Sequence, residues 1–443
     1  MSRFALVFQS FDGFHPVLSI LTSRCEKLGV EYLKAVLEAD GHVVDLFDNE
    51  LTRIPTEDLV GLLSSRCYEV IGFSINAGNY HSSVSVIEKL PSGPLVIAGG
   101  VVPTLHDREL LLCLPRIDGV ILGEGENAVL GLAHWADSDR SGKPRIDGFV
   151  TRESPEPPLP PPLDMNTLPQ LRHADVHRYE QTVMNTARGC RYACSYCSES
   201  RFLRKAGAKW HARCAEHVLE EIEYLVSTKG TRSLWIVDGD FIGPEPQRVS
   251  EICEAMLREG IQVSFEIDAR ADDIDKGLFA LLYDAGLRRV FIGVESLSGR
   301  KLKRMNKGIR PRDVGEALRT LETLGIRYTL GMIPFTEDTT YEELAQDVIF
   351  MREHGFENIG SHLFMGMKDY GTLEPKTPQC FDDGRVAAIF SEGRELETRL
   401  NWSYAARIRK VSSVQERARL VYEINHQIGQ GLVELVAKYG KAT

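Results

Sequence analysis

Cys190, Cys194 and Cys197 stand in the run Thr186-Ala-Arg-Gly-Cys-Arg-Tyr-Ala-Cys-Ser-Tyr-Cys-Ser198, a CxxxCxxC triplet. Three thiolates so close can hold three irons of a four-iron cluster and leave the fourth open, where another molecule can coordinate and chemistry can begin. The alternative for closely spaced cysteines is a zinc loop. Zinc sites usually pair two such halves, and no second CxxC occurs in the chain.

Other polar residues fall at the ends of apolar runs. Leu234-Trp-Ile-Val-Asp-Gly-Asp240 places Asp238 and Asp240 after an expected strand, where carboxylates could grip a cationic amine or ribose hydroxyls. An Asp-Gly turn with solvated acids is the competing reading. Phe265-Glu-Ile-Asp-Ala-Arg270 puts Glu266, Asp268 and Arg270 on one strand face, a polar stripe where a barrel interior would otherwise be apolar. Val290-Phe-Ile-Gly-Val-Glu-Ser-Leu297 ends on Glu295 and Ser296, and Arg304-Met-Asn-Lys-Gly308 follows. A buried strand ending in an acid is costly unless that acid has a partner.

The elements that position these residues alternate between strand and helix patterns. Six prolines in Ser154–Leu163 read as a stiff extended linker, within 151–180, that divides the chain. Before it, residues 1–150 show strands at Phe4–Phe8, Val43–Phe47, Val70–Ile75, Leu95–Ala98 and Gly119–Leu122, with a helix through Glu31–Glu38. That alternation predicts an α/β fold, a Rossmann-like parallel sheet with ligands at the strands' carboxyl ends. After it, residues 181–370 show strands at Val183–Thr186, Leu234–Val237, Val263–Ile267, Arg289–Val294, Arg327–Gly331 and Ile359–Leu363, with helices Ala215–Ser227 and Val314–Leu324 between them. Six such units predict a partial (β/α)6 barrel. Residues 371–443 read as a helical C-terminal segment, with helices at Leu396–Ala406 and Gln415–Lys438 that close the barrel mouth over substrate. Trp402, Tyr404 and His362 are candidate contacts there, although core or surface roles suit each.

The cysteine run and the downstream strand ends resemble the radical S-adenosylmethionine (radical SAM) enzymes, in the subgroup that carries an N-terminal cobalamin-binding-type domain. The resemblance covers about 180–365 for the barrel. It implies that SAM chelates the open iron of a 4Fe-4S cluster and is cleaved by an electron to a 5′-deoxyadenosyl radical. It further implies that Glu295 and Ser296 lie near the methionine and ribose, Arg270 near the carboxylate, and Ile333 or Pro334 beside the adenine. Trp210-His-Ala-Arg213 is similar to the subgroup's arginine-containing entry to the first barrel helix. In the N-terminal part, Gly72-Phe-Ser74, Val96-Ile-Ala-Gly-Gly-Val-Val-Pro103 and Gly119-Val-Ile-Leu-Gly-Glu-Gly-Glu126 resemble the cobalamin-binding sheet, making Gly99, Gly100, Gly123 and Gly125 candidates for the corrin face or nucleotide tail. The cobalt-ligand signature Asp-x-His-x-x-Gly is absent after the first strand. Asp40-Gly-His42 reads instead as a helix-to-strand turn, and His15 is a weak alternative.

The function implied is hydrogen abstraction from a small natural-product substrate, with cobalamin-dependent C-methylation first. Cobalamin-independent dehydration, epimerisation or rearrangement is the runner-up, and the aminoglycoside diol dehydratases are its pattern. Cys25, Cys67 and Cys113 raise a minor alternative, an RNA methylthiotransferase with a second cluster. Against it, Cys25 and Cys113 suit helical segments as small buried hydrophobes, and no basic RNA-binding terminus is seen. A reductant such as flavodoxin or ferredoxin is the expected protein partner.

The bulk properties suit this. In 443 residues, 43% apolar content supports two or three cores. No run of about 18 apolar residues and no basic-then-apolar leader occurs, and nine scattered cysteines do not form a disulfide framework, so the expectation is a cytoplasmic protein with no membrane span. The net charge of −11 opposes broad capture of nucleic acid.

Overall fold

β1 (Arg3–Phe8) shows why the first half folds as it does: Phe4 and Leu6 enter one apolar core while Ala5 and Val7 enter another, so both faces of the strand are covered. The computed structural model describes residues 1–11, 25–138, 144–153, 163–173, 176–179, 181–207, 209–360, 380–411 and 413–440. β2 (Val43–Asp48), β3 (Val70–Ser74), β4 (Leu95–Gly99), β5 (Gly119–Ile121) and β6 (Phe149–Val150) complete the first sheet. Its order is β2-β1-β3-β4-β5-β6, parallel except for β6. Helices Leu28–Ala39 and Glu126–Asp137 pack on one face, Thr56–Ser65 and Tyr80–Ile87 on the other. The chain runs from β1 out to β2, then returns to set β3 on the far side of β1. That reversal makes a ligand crevice at the carboxyl ends of the strands. The Rossmann-like expectation is met.

The proline-richest residues, 154–162, lie outside the described residues. The rest of the expected linker is not free-standing. Leu163, Met165, Leu168 and Leu171 are buried in the first core beside Tyr32 and Val129, because burying four apolar side chains outweighs leaving them in an extended connector.

The second sheet contains β7 (Thr182–Met184), β10 (Ser233–Ile236), β11 (Ser264–Arg270), β12 (Leu287–Glu295) and β13 (Arg327–Met332), all parallel and adjacent in chain order. β8 (Ala187–Arg188) and β9 (His211–Ala212) form a small antiparallel pair beside it. Strands laid down in sequence, each followed by a helix, curl into part of a barrel. Of the expected sixth strand, Ile359 makes a single parallel bridge to Leu330, and residues 361–379, including His362, lie outside the described residues. Leu234, Ile236, Phe265, Ile267, Val290, Ile292 and Val294 face the surrounding helices. Trp235, Glu266, Asp268 and Phe291 alternate with them and stay partly accessible on the opposite face.

Helices Gly384–Lys410 and Val414–Gly440 extend beyond both expected tail helices and pack against each other and the barrel core. Asp382 N–H donates to Glu337 O near the carboxyl end of β13, whereas Tyr422 Oη accepts from Arg289 near the start of β12. Tyr404 is buried with its Oη accepting from Gln427, and Trp402 is exposed. Among the described residues no helix is long and apolar enough to cross a membrane.

Candidate functional site

The three cysteines lie between β8 and helix Ser198–Lys205, on a loop that other segments hold down. Ser195 N–H donates to Met305 O at 2.9 Å, Asn306 Nδ2 donates to Ala193 O at 2.8 Å, and Arg191 pairs with Asp240 and Asp273. Cys194 is buried, Cys190 and Cys197 half-buried. Burial, with Asp240 and the other two cysteines adding to it, pushes the Cys190 thiol up to about 12, so ionisation at neutral pH needs a bound cation. The donor set fits a cluster.

Arg270, at the end of β11, stacks its guanidinium 3.5 Å from the Tyr192 ring and sets Nη1 3.8 Å from Cys194 Sγ. Its remaining donors go to Asp272 and to Lys307 O. Glu295 closes β12 with φ +67°, a left-handed conformation that a residue with a Cβ seldom adopts, and β12 shifts register against β13 just before it. Glu295 Oε1 accepts from Tyr196 Oη at 2.9 Å and pairs with Lys307 Nζ at 3.0 Å. Burial, then the Glu295 charge, raises the Tyr196 phenol, which therefore stays a donor. Ile333 N–H donates to Glu295 O at 2.9 Å. Arg270, Glu295 and the cysteine loop thus share one end of the barrel.

Two other candidates turn inward instead. Asp238 is fully buried and accepts from Thr186 N at 2.7 Å and Thr186 Oγ1 at 2.5 Å, tying β7 to the strand beside it. Ser296 donates to Asp347, which also holds the buried ammonium of Lys301. Asp240 lies 3.8 Å from Cys190 Sγ and accepts from Arg191 N–H and Gly243 N–H, so it braces the loop. Arg213 likewise braces the first barrel helix through Glu221. Tyr196 and Lys307 are not among the residues expected from the sequence, where their signals are a tyrosine between the last two cysteines and a lysine in the Met-Asn-Lys-Gly run.

At the carboxyl edge of the first sheet is a cavity of about 230 Å³. Gly99, Gly100, Gly123 and Gly125 line it together with the apolar side chains of Leu6, Leu33, Ile97, Ile121 and Val129. Gly100 has φ +98°, and a Cβ there would meet Ile75 O at 3.0 Å; a Cβ on Gly123, φ +68°, would meet Ala206 Cβ at 2.3 Å. The missing Cβ atoms leave room for Ile75 and Ala206, so these glycines let the loops pack closely behind the backbone that lines the cavity. Asp40 and His42 lie at the opposite, amino end of the sheet. His42 Nδ1 accepts from Ser2 N–H and Nε2 bonds Asp40, an arrangement that serves the turn. Cys25 precedes helix Leu28–Ala39 rather than standing on it and is half-buried, Cys67 lies in the loop after helix Thr56–Ser65, and Cys113 ends helix Asp107–Cys113 and is exposed rather than a buried hydrophobe.

Residues 184–351 match the Radical SAM superfamily, and residues 15–133 match the B12 binding domain. The chain carries a B12-binding-type domain followed by a radical SAM domain. It is 28% identical over 335 residues to the anaerobic magnesium-protoporphyrin IX monomethyl ester cyclase of Synechocystis sp., covering 69% of this chain and 64% of the relative. It is 24% identical over 340 residues to an uncharacterized methyltransferase of Pyrococcus horikoshii, covering 74% of this chain and 73% of that one. Its fold is similar to the cobalamin-dependent SAM radical enzyme OxsB with aqua-cobalamin and SAM bound, with a TM-score of 0.77 at 17% identity over 96% of this chain and 72% of that one.

Proposed function

We propose that this radical SAM protein cleaves SAM on a four-iron cluster held by Cys190, Cys194 and Cys197, takes hydrogen from an unactivated carbon of a small molecule, and methylates that carbon using cobalamin held in the first sheet. One juxtaposition carries the reading. The glycine-rimmed cavity of the first sheet is walled on its other side by Asn185, Arg188, Glu199 and Phe202, the residues that bracket the cysteine loop. A methyl donor and a radical source acting on one carbon must lie this close. When bound, the cluster supplies the electron that splits the SAM sulfonium and the corrin supplies the methyl group.

The chain's own residues bind and orient. Arg270 and Glu295 face the SAM carboxylate and its amine or ribose, Tyr192 and Lys307 hold those two side chains in place, and the apolar cavity wall excludes water. Dehydration or epimerisation without cobalamin leaves the cavity without a use, so methylation is preferred.

Protein reconstituted anaerobically with iron and sulfide, then mixed with hydroxocobalamin and desalted, is expected to keep the cluster and about one equivalent of corrin. Given SAM and a reductant such as flavodoxin, it should release 5′-deoxyadenosine and S-adenosylhomocysteine. Replacing all three cysteines with Ala should abolish iron absorption and deoxyadenosine together. Full iron and turnover in that variant overturns the cluster assignment. Deoxyadenosine without corrin or S-adenosylhomocysteine overturns methylation.

A further inference from the structure

Asn185 follows β7 directly and stands in the wall of the cavity at the domain junction. Its backbone is anchored, since Arg213 Nη1 donates to Asn185 O at 3.0 Å. Its side chain is not. The residue is only 8% exposed, and Oδ1 is buried with no hydrogen-bond partner. Leaving such an acceptor unmatched costs about 1–3 kcal/mol, whereas an apolar side chain of the same shape would avoid that cost. Across the cavity Leu33, Ile97 and Ile121 are of that kind, while the charged residues that also line it are matched: Arg188 pairs with Glu124 and Glu126, and Glu199 accepts from Gly189 N–H. A carboxamide retained here awaits a donor that arrives with a ligand.

We infer that Asn185 is a corrinoid-contacting residue whose amide oxygen accepts an N–H from one of the carboxamide side chains on the corrin rim. The inference rests on the reading of the cavity as a cobalamin site and deepens it, because it assigns a barrel residue to a cofactor seated in the other domain. The corrin rim carries primary amides that offer both donor and acceptor. One such amide satisfies Asn185 without adding an unpaired charge to the cavity.

The test uses the full chain with its cluster reconstituted, the variants Asn185→Leu and Asn185→Ala, and two probes, hydroxocobalamin and cobinamide, which keeps the rim amides but lacks the nucleotide tail. Titration followed by corrin absorption should show both variants binding both probes roughly tenfold more weakly, the scale of one neutral hydrogen bond. Iron content and SAM affinity should not change. The Asn185→Leu apoprotein should melt no lower than wild type, because it removes an orphaned polar atom; a merely structural asparagine would lower melting and binding together. Wild-type affinity in both variants overturns the assignment while leaving the cobalamin reading standing. A loss confined to Asn185→Leu points to bulk blocking the cavity, and a loss for hydroxocobalamin alone places Asn185 on the nucleotide tail; either result overturns the corrin-rim contact. A wild-type protein that retains neither probe overturns the inference and the cobalamin reading at once.

Discussion

At the scale of single residues, the informative group is Glu295 with the side chains that grip it. Its left-handed backbone is held from three sides: Ile333 bonds its carbonyl, while Tyr196 and Lys307 bond its carboxylate. Non-glycine residues keep such a conformation, at about 1–3 kcal/mol, where the surroundings over-determine it. Tyr196 belongs to the cysteine loop, so Glu295 joins the loop to the end of β12 through one oxygen. Glu295→Gln should retain the cluster but weaken SAM binding about tenfold or more, because a charge-assisted contact of roughly 1.5–3 kcal/mol is lost and Lys307 loses its counter-charge. Equilibrium SAM binding to reconstituted protein checks this. Unchanged affinity would remove Glu295 from the SAM site.

Among the elements, one glycine loop of the first sheet decides how closely the domains meet and another how closely two loops of that sheet pack. Gly123 faces Ala206, just beyond the helix that follows the cysteine loop, and Gly100 lies against the backbone of Ile75. Gly100→Ala and Gly123→Ala should each destabilise by about 1–3 kcal/mol, through positive φ and overpacking together. Gly61 in helix Thr56–Ser65 is the control, since it has ordinary φ and a Cβ there meets nothing within 4 Å. Gly61→Ala should stabilise by about 0.5–1 kcal/mol. Urea midpoints at constant slope report both signs.

Across the whole molecule, a buried chain of charges joins the two domains. His173, from the docked linker, places Nδ1 2.5 Å from Glu26 of the first domain and Nε2 3.1 Å from Glu221 of the barrel, and Glu221 also pairs with Arg213. Burial disfavours the charged ring, yet the bonds to Glu221 and Glu26 raise His173 to about 9. Because the folded value lies above the ordinary 6.5, the stability it contributes is complete below about pH 6.5 and is lost as pH rises through about 9. Wild type should therefore lose stability between pH 7 and 9.5 more steeply than His173→Gln, which should be weaker throughout and flatter. Equal slopes in pH-resolved denaturation would show that His173 is not the linking charge.

What the sequence by itself determined is what depends on neighbours along the chain. The CxxxCxxC spacing puts three thiols on one short loop, and alternating apolar residues specify strands such as Val70–Ser74 and Leu287–Glu295 and the faces they bury. Those signals led to both domains and to the end of the barrel where Arg270 and Glu295 meet the cysteines. The tertiary structure alone decided partners. Asp238 and Ser296 looked as available as Glu295, but strand register and the following helix place Thr186 and Asp347 against them, so their oxygens are spent inside the scaffold. Periodicity names the face on which a side chain lies and says nothing of which residue, 50 or more positions away, stands opposite. For the same reason Asn185, an unremarked residue before the cysteine run, became legible only once the second domain closed a cavity around its unmatched amide.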